Sequence, residues 1–247
     1  MTITGIIPAR YASTRFPGKP LADINGKPMI QRVYEQAEKV LKYVCVATDD
    51  SRIEDVVKSF GGNVVMTSPL HKSGTDRCAE AVEILEQKGI NTDVVINIQG
   101  DEPFINPVQI KQLTDIFDNP DAQIATLIKK ITSTETIFDV NKVKVTTGKS
   151  GNALYFSRNP IPFVRNIEKD DWINQQDFFL HIGMYGYRRD VLSKICKLEQ
   201  GTLEKAESLE QLRWLENGYK IYTAITDIET VGIDTPEDLK KVLSMFK

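Results

Sequence analysis

Short apolar runs alternate with helical patterns through the first half of the chain, and that alternation leaves few architectures open. Thr4–Ile7, Tyr43–Thr48, Asn63–Met66 and Val94–Ile98 read as strands. Between them, Met29–Leu41, Ser51–Phe60 and Gly74–Lys88 carry apolar residues at helical spacing. In the first of these, Met29, Ile30, Val33, Ala37, Val40 and Leu41 share one face. A strand–helix repeat of this kind builds an α/β fold, a parallel sheet covered on both faces with right-handed crossovers. Such sheets bind ligands beyond the carboxyl ends of their strands.

The second half is less regular. Gln123–Lys130, Val143–Thr147, Ala153–Phe156 and Gly183–Arg188 read as strands of a mixed or antiparallel extension, with a turn at Gly148–Gly151. A helix is expected near Glu207–Gly218, a last strand at Lys220–Ile225, and a final helix capped by Thr235 with Pro236 at its first position. Pro160–Leu180 is irregular and polar, and reads as a mobile loop or a projecting arm that exposes Trp172, Phe178 and Phe179, a pattern suited to an interface. The 247 residues fit one domain, 1–247, with an arm near 160–180.

The first strand leads at Pro8 into a loop of small residues holding three permanent cations, Arg10, Arg15 and Lys19. Small residues let backbone N–H groups approach an anion, and Arg and Lys add charge-assisted hydrogen bonds to phosphate oxygens. The loop is suited to a polyphosphate. It is not a P-loop, which needs Ser or Thr after Gly-Lys. Gly18-Lys19 is followed by Pro20, and Gly26-Lys27 by Pro28.

With a net charge of −3 there is no basic excess to neutralise a nucleic-acid backbone, so the basic loop is a local feature for a small anion. No signal-peptide pattern precedes the first strand and no apolar run approaches the length of a membrane span. Three widely spaced cysteines form neither a disulfide framework nor a zinc pattern, and Cys45 reads as a small core residue. A cytoplasmic, reduced protein that engages neither membrane nor nucleic acid is expected.

Val94–Ile98 runs into Gln99-Gly100-Asp101-Glu102-Pro103, which brings carboxylates to the sheet edge that carries the basic loop. A triphosphate there needs Mg²⁺, commonly held by one or two carboxylates together with phosphate oxygens, and Asp101 is the natural candidate. Gly-Asp-Glu-Pro is also turn chemistry. Asp234 either flanks the last helix or returns a second carboxylate to the same ion, and spacing leaves both open. Ser73-Gly74-Thr75-Asp76-Arg77 opens a helix whose first residues suit either a nucleotide contact or simple capping. His71 has no partner in sequence and is assigned no role, and Ser13, Ser73 and His181 lack the context of a nucleophile. A phosphate cradle, a metal carboxylate and a separate pocket suit nucleotidyl transfer by positioning and electrostatics.

These segments resemble a known family. Pro8-Ala9-Arg10, Ser13-Thr14-Arg15 and Pro17–Leu21 are similar to the N-terminal motif of the sugar-acid cytidylyltransferases. Tyr155–Arg158, His181–Tyr187, Leu209–Arg213 and Gly232–Leu239 resemble the 3-deoxy-manno-octulosonate (Kdo) branch, the CMP-Kdo synthetases. The resemblance implies a Rossmann-like nucleotide-diphospho-sugar transferase fold, with a mostly parallel sheet and a small dimerisation arm, in a homodimer. It implies CTP over Pro8, Ala9, Arg10, Arg15 and Lys19, with Ser73, Gly74, Arg77 and Gln99 holding cytidine and Arg10, Lys19 and Asp101 serving catalysis. Asp101 and Asp234 would hold Mg²⁺, and Arg158, His181, Tyr185, Glu210 and Gln211 would line the Kdo pocket. The implied reaction joins CMP from CTP to the anomeric hydroxyl of Kdo, releasing pyrophosphate, for lipopolysaccharide synthesis. A sialic-acid-type cytidylyltransferase and a non-catalytic nucleotide-binding module are the alternatives. The chain departs from the family at Phe163 and Asn166, where Trp and Asp are common.

Overall fold

The computed structural model describes residues 1–12, 14–229 and 231–245, so Ser13 of the phosphate-loop motif lies outside the described residues. In chain order the elements run Ile3–Ala9 (β1), Asp23–Ile24 (β2), Lys27–Pro28 (β3), Met29–Glu38 (α1), Tyr43–Thr48 (β4), Ser51–Ser59 (α2), Val64–Met66 (β5), Gly74–Gln87 (α3), Val94–Asn97 (β6) and Pro107–Asp115 (α4). They continue with Ile124–Lys130 (β7), Thr134–Phe138 (α5), Lys144–Thr147 (β8), Ala153–Ser157 (β9), Trp172–Gln175 (α6) and Phe179–Arg188 (β10). Arg189–Ile195 (α7), Thr202–Glu207 (α8), Gln211–Glu216 (α9), Ile221–Ile225 (β11) and Pro236–Met245 (α10) complete the chain. The result is the expected mixed α/β fold.

The chain divides into two compact units, one of residues 1–111, 188–196 and 230–247, the other of 112–187 and 197–229. In the first, β6, β1, β4 and β5 lie side by side, all parallel. Their apolar runs are buried on both faces: Ile6, Ile7, Cys45, Val46 and Ile96 are wholly inaccessible, as a strand covered by helices on both sides requires. Burial also pushes the Cys45 thiol up to about 12, which fits its reading as a core residue.

One boundary differs from expectation. Pro8 does not end β1, which pairs with β4 through Pro8 opposite Ala47 and Ala9 opposite Thr48. Pairing of β1 with β6 stops at Ile6, so the missing N–H of Pro8 interrupts no ladder on that side.

In the second unit β7 runs parallel to β11 and antiparallel to β10, and β10, β8 and β9 continue antiparallel. Here two expectations are corrected. Trp172 and Phe178 are not exposed: with Ile131 and Ile137 they form a buried cluster, their rings stacked 6.1 Å apart. Phe179, half-buried, already belongs to β10, while Phe163 is the exposed aromatic of the segment. The helix expected near 207–218 is shorter, and a separate helix precedes it. Ser208 takes a left-handed conformation, φ +53°, and ends α8, and α9 starts at Gln211. Among the described residues no helix is long and apolar enough to cross a membrane.

Candidate functional site

The first unit opens a cleft of about 260 Å³ where β1 and β6 end. Pro8, Ala9, Arg10, Arg15, Lys19, Ser73, Gly74, Arg77, Gln99, Asp101 and Asp234 all line it, so every residue proposed for the nucleotide and the metal meets in one place. Local geometry explains how. Gly18 turns the loop with φ +70°, and its N–H donates to the Tyr11 carbonyl at 2.9 Å. A Cβ at Gly18 would lie 3.1 Å from the Tyr11 ring. That ring is covered in turn by the Arg52 guanidinium at 3.3 Å. The turn delivers Lys19 into a short 3₁₀ segment, its side chain only 14% exposed. Opposite, a Cβ at Gly100 would sit 3.0 Å from the Pro8 carbonyl oxygen, so glycine lets the β6 loop close against β1 without a backbone shift.

The two carboxylates converge on Lys19. Its ammonium lies 2.7 Å from Asp101 Oδ2 and 3.2 Å from Asp234 Oδ1, and Arg15 lays two nitrogens on Asp234 at 3.1 Å. Asp234 arrives there because the Ile233 N–H donates to the Asp101 carbonyl at 2.9 Å. Ile233 itself is buried with Ile24, Met29 and Val242. Capping of α10 falls to Thr235 and Asp238, each accepting from the other's N–H at 3.0–3.1 Å. The Thr235 bonds hold the Asp238 carboxyl below its usual range. Asp234 is thereby free of capping duty. Two carboxylates meeting on one cation, with oxygen donors alone, form a donor set that fits Mg²⁺.

The α3 side of the cleft is built by tertiary pairing. Ser73 Oγ caps α3, accepting from Asp76 N–H at 3.1 Å. Arg77, 4% exposed, donates to Thr67 Oγ1 at 2.6 Å and to Asp49 Oδ2 at 3.1 Å. His71, given no role from sequence, also lines the cleft, its Nε2 2.5 Å from Glu80 Oε2. Its partner lies a full helical segment away, which no local pattern announces. Beside Asp101, Glu102 is pushed up to about 7 by burial and by that neighbouring carboxylate.

The second unit gathers the remaining candidates. Between Ile182 and Tyr185 the register of β10 against β7 slips by two residues. Two is even, so alternation survives: His181 opposite Ile128 and Tyr185 opposite Thr126 stay on one face. Residues four apart on a regular strand would be roughly 13 Å apart, yet these rings lie 5.3 Å apart because the bulge contracts the strand. Thr126, fully buried, sits 3.0 and 2.8 Å from the Ile182 and Met184 carbonyls and 3.2 Å from His181 Nε2. No sequence pattern marks that stitch. Burial pushes the His181 pKa down to about 3, which keeps the ring neutral. Burial, then Glu210, holds the Tyr185 phenol well above its usual range. Tyr185 Oη and Gln211 Nε2 are buried with no hydrogen-bond partner among the described residues. Arg158 is anchored at one edge, its Nε donating to the Glu207 carbonyl at 2.8 Å and its N–H to Glu207 Oε2 at 2.9 Å.

Comparison with known proteins agrees with this equipment. Residues 4–221 match the family model described as cytidylyltransferase. A 3-deoxy-manno-octulosonate cytidylyltransferase of Parabacteroides distasonis is 58% identical, over 100% of this chain and 98% of that one. One of Bacteroides thetaiotaomicron is 57% identical, over 100% and 99%. Among solved structures, a CMP:2-keto-3-deoxy-manno-octonic acid synthetase complexed with CTP superposes with a TM-score of 0.90 at 43% identity, covering 100% of this chain and 98% of that one. A cytidylyltransferase of Leptospira borgpetersenii, 16% identical with a TM-score of 0.64, covering 99% of this chain and 86% of that one, shares the fold. The chain belongs to the cytidylyltransferase family, among the 3-deoxy-manno-octulosonate cytidylyltransferases.

Proposed function

We propose that this enzyme transfers CMP from CTP to the anomeric hydroxyl of Kdo in the cytoplasm, releasing pyrophosphate. The observation that carries the reading is the meeting of Arg10, Arg15 and Lys19 with Asp101 and Asp234 in one cleft at the strand ends. The hydroxyl gives up its proton to solvent and its oxygen bonds to the α-phosphorus as the bond from that phosphorus to the pyrophosphate oxygen breaks. Arg10 and Lys19 stabilise the charge that develops there, and Ser73, Gly74, Arg77 and Gln99 bound the nucleoside side. Asp101 and Asp234 would hold Mg²⁺, which when bound neutralises phosphate charge.

The sugar acid is assigned to the pocket of His181, Tyr185, Glu210 and Gln211, with Arg158 at its edge. Unpartnered polar atoms on Tyr185 and Gln211 suit a ligand rich in hydroxyls. A two-fold homodimer belongs to the same reading, and with Trp172 and Phe178 buried its contact is sought around exposed Phe163 and Ile167. Light scattering that gives the mass of one chain at micromolar concentration would remove the dimer.

The test of function is pyrophosphate release from CTP with a panel of sugar acids, with and without Mg²⁺. Release with Kdo, suppressed by EDTA, is expected. Preference for sialic acid would reassign the acceptor, and nucleotide binding without any release would leave a binding module.

A further inference from the structure

Lys19 is engaged by both carboxylates of the cleft. Its ammonium bridges Asp101 and Asp234 at 2.7 and 3.2 Å, and Arg15 occupies both oxygens of Asp234 at 3.1 Å. The carboxylates that suit a divalent cation are therefore already neutralised, and by the cations that suit a triphosphate. A metal ion entering this pair would meet two positive charges at contact distance, which repel it.

We infer that Lys19, helped by Arg15, is an internal counter-ion that holds the Asp101–Asp234 pair closed to divalent metal until a triphosphate draws the two cations away. The inference rests on the Mg²⁺ assignment above. A lysine suits the task, because its ammonium is a compact charge on a flexible stem that can exchange a carboxylate for a phosphate oxygen. Arg15, with its side chain 66% exposed, is equally able to change partners. Metal and nucleotide are then linked: each tightens the other by the same factor. The free enzyme would leave cellular divalent ions unbound, and the carboxylates would accept one only when a substrate is in place.

The test uses Mn²⁺ alone, with no nucleotide or sugar acid, and reads bound metal from loss of the free-ion paramagnetic resonance signal. Lys19→Gln and Arg15→Gln should each bind Mn²⁺ about tenfold more tightly than the unaltered protein, a typical size for such coupling. Lys72→Gln removes the same charge from the same cleft, and should change the affinity less than about twofold, since the cations in contact with Asp101 and Asp234 are Lys19 and Arg15. Adding Asp101→Asn to Lys19→Gln should abolish the gain. Arg15 is exposed, so its variant keeps the test open if Lys19→Gln is unstable. Equal Mn²⁺ affinity in all proteins, no binding in any of them, or an equal gain from Lys72→Gln would overturn the inference. Turnover of CTP and Kdo by the unaltered protein separates the two readings: activity with ungated Mn²⁺ binding defeats only this inference, whereas inactivity defeats the proposed function.

Discussion

The cleft of the first unit and the proposed sugar-acid site of the second handle polar groups in opposite ways. In the cleft, charges are paired with one another, Lys19 and Arg15 both spent on two carboxylates, and Arg15 and Asp234 stand open to solvent. In the second, burial keeps His181 neutral, and Tyr185 and Gln211 carry buried polar atoms with no partner among the described residues. An open charged cleft gives attraction and tolerates variation in its ligand, because water substitutes for any bond left unmade. Buried groups without partners penalise every ligand that fails to supply the matching hydroxyl. Under the proposed function, binding strength and transition-state stabilisation would fall to one unit and discrimination to the other.

The largest effect should come from the cleft. Lys19→Ala removes a group expected to contribute about 3–4 kcal/mol to the transition state, so kcat should fall by roughly two to three orders of magnitude in steady-state assays. A rise in KM for CTP at unchanged kcat would make Lys19 a simple binding residue and blur the division.

The next effect is acid sensitivity confined to the pocket. The imidazole of His181 ordinarily titrates at 6.5 and here at about 3. As pH falls, the unfolded chain takes up this proton first, so stability present above pH 6.5 is lost progressively below it. Between pH 6.5 and 5 the loss should be about 2 kcal/mol, read from urea midpoints. In His181→Gln the acid slope should flatten, and an unchanged slope would mean the ring is charged in place.

Gln211→Ala should raise the KM for Kdo about tenfold and leave that for CTP nearly unchanged, as loss of one buried hydrogen bond to a substrate hydroxyl implies. Matched rises for both substrates would dissolve the separation between the two regions. Smallest of all, Thr235→Ala should cost about 1 kcal/mol of stability through the lost cap of α10, lowering Tm without altering the KM for Kdo.

Legibility in the sequence followed the range of the interactions. The alternating strands, the basic loop after β1, Asp101 beyond β6 and the Thr235 cap are local patterns, and each was found at or within a few residues of its expected place. What escaped was settled by distant partners. Arg158 was expected to line the sugar-acid pocket, and its Nε is anchored by the Glu207 carbonyl, 49 positions away. The carboxylate of Glu207 accepts from Ser157 Oγ at 2.6 Å, and the chain breaks its helix just beyond, at Ser208. Trp172 and Phe178 stand among charged residues in sequence, and only Ile131 and Ile137, supplied from elsewhere in the unit, make them core. Asp234 was undecided because what directs it is a single main-chain bond from Ile233 to Asp101.

The paired slip in β10 bears on how this strand can tolerate change in length. Losing Gly183 and Met184 together would restore a straight ladder with Tyr185 and Tyr187 still on their own faces. Losing either one alone would turn both tyrosines over and take the wholly buried Tyr187 away from Trp214, whose ring it meets at 5.5 Å. Insertions and deletions here should therefore survive in pairs or not at all, a parity rule that Thr126 reinforces, its hydroxyl lying against the Ile182 and Met184 carbonyls.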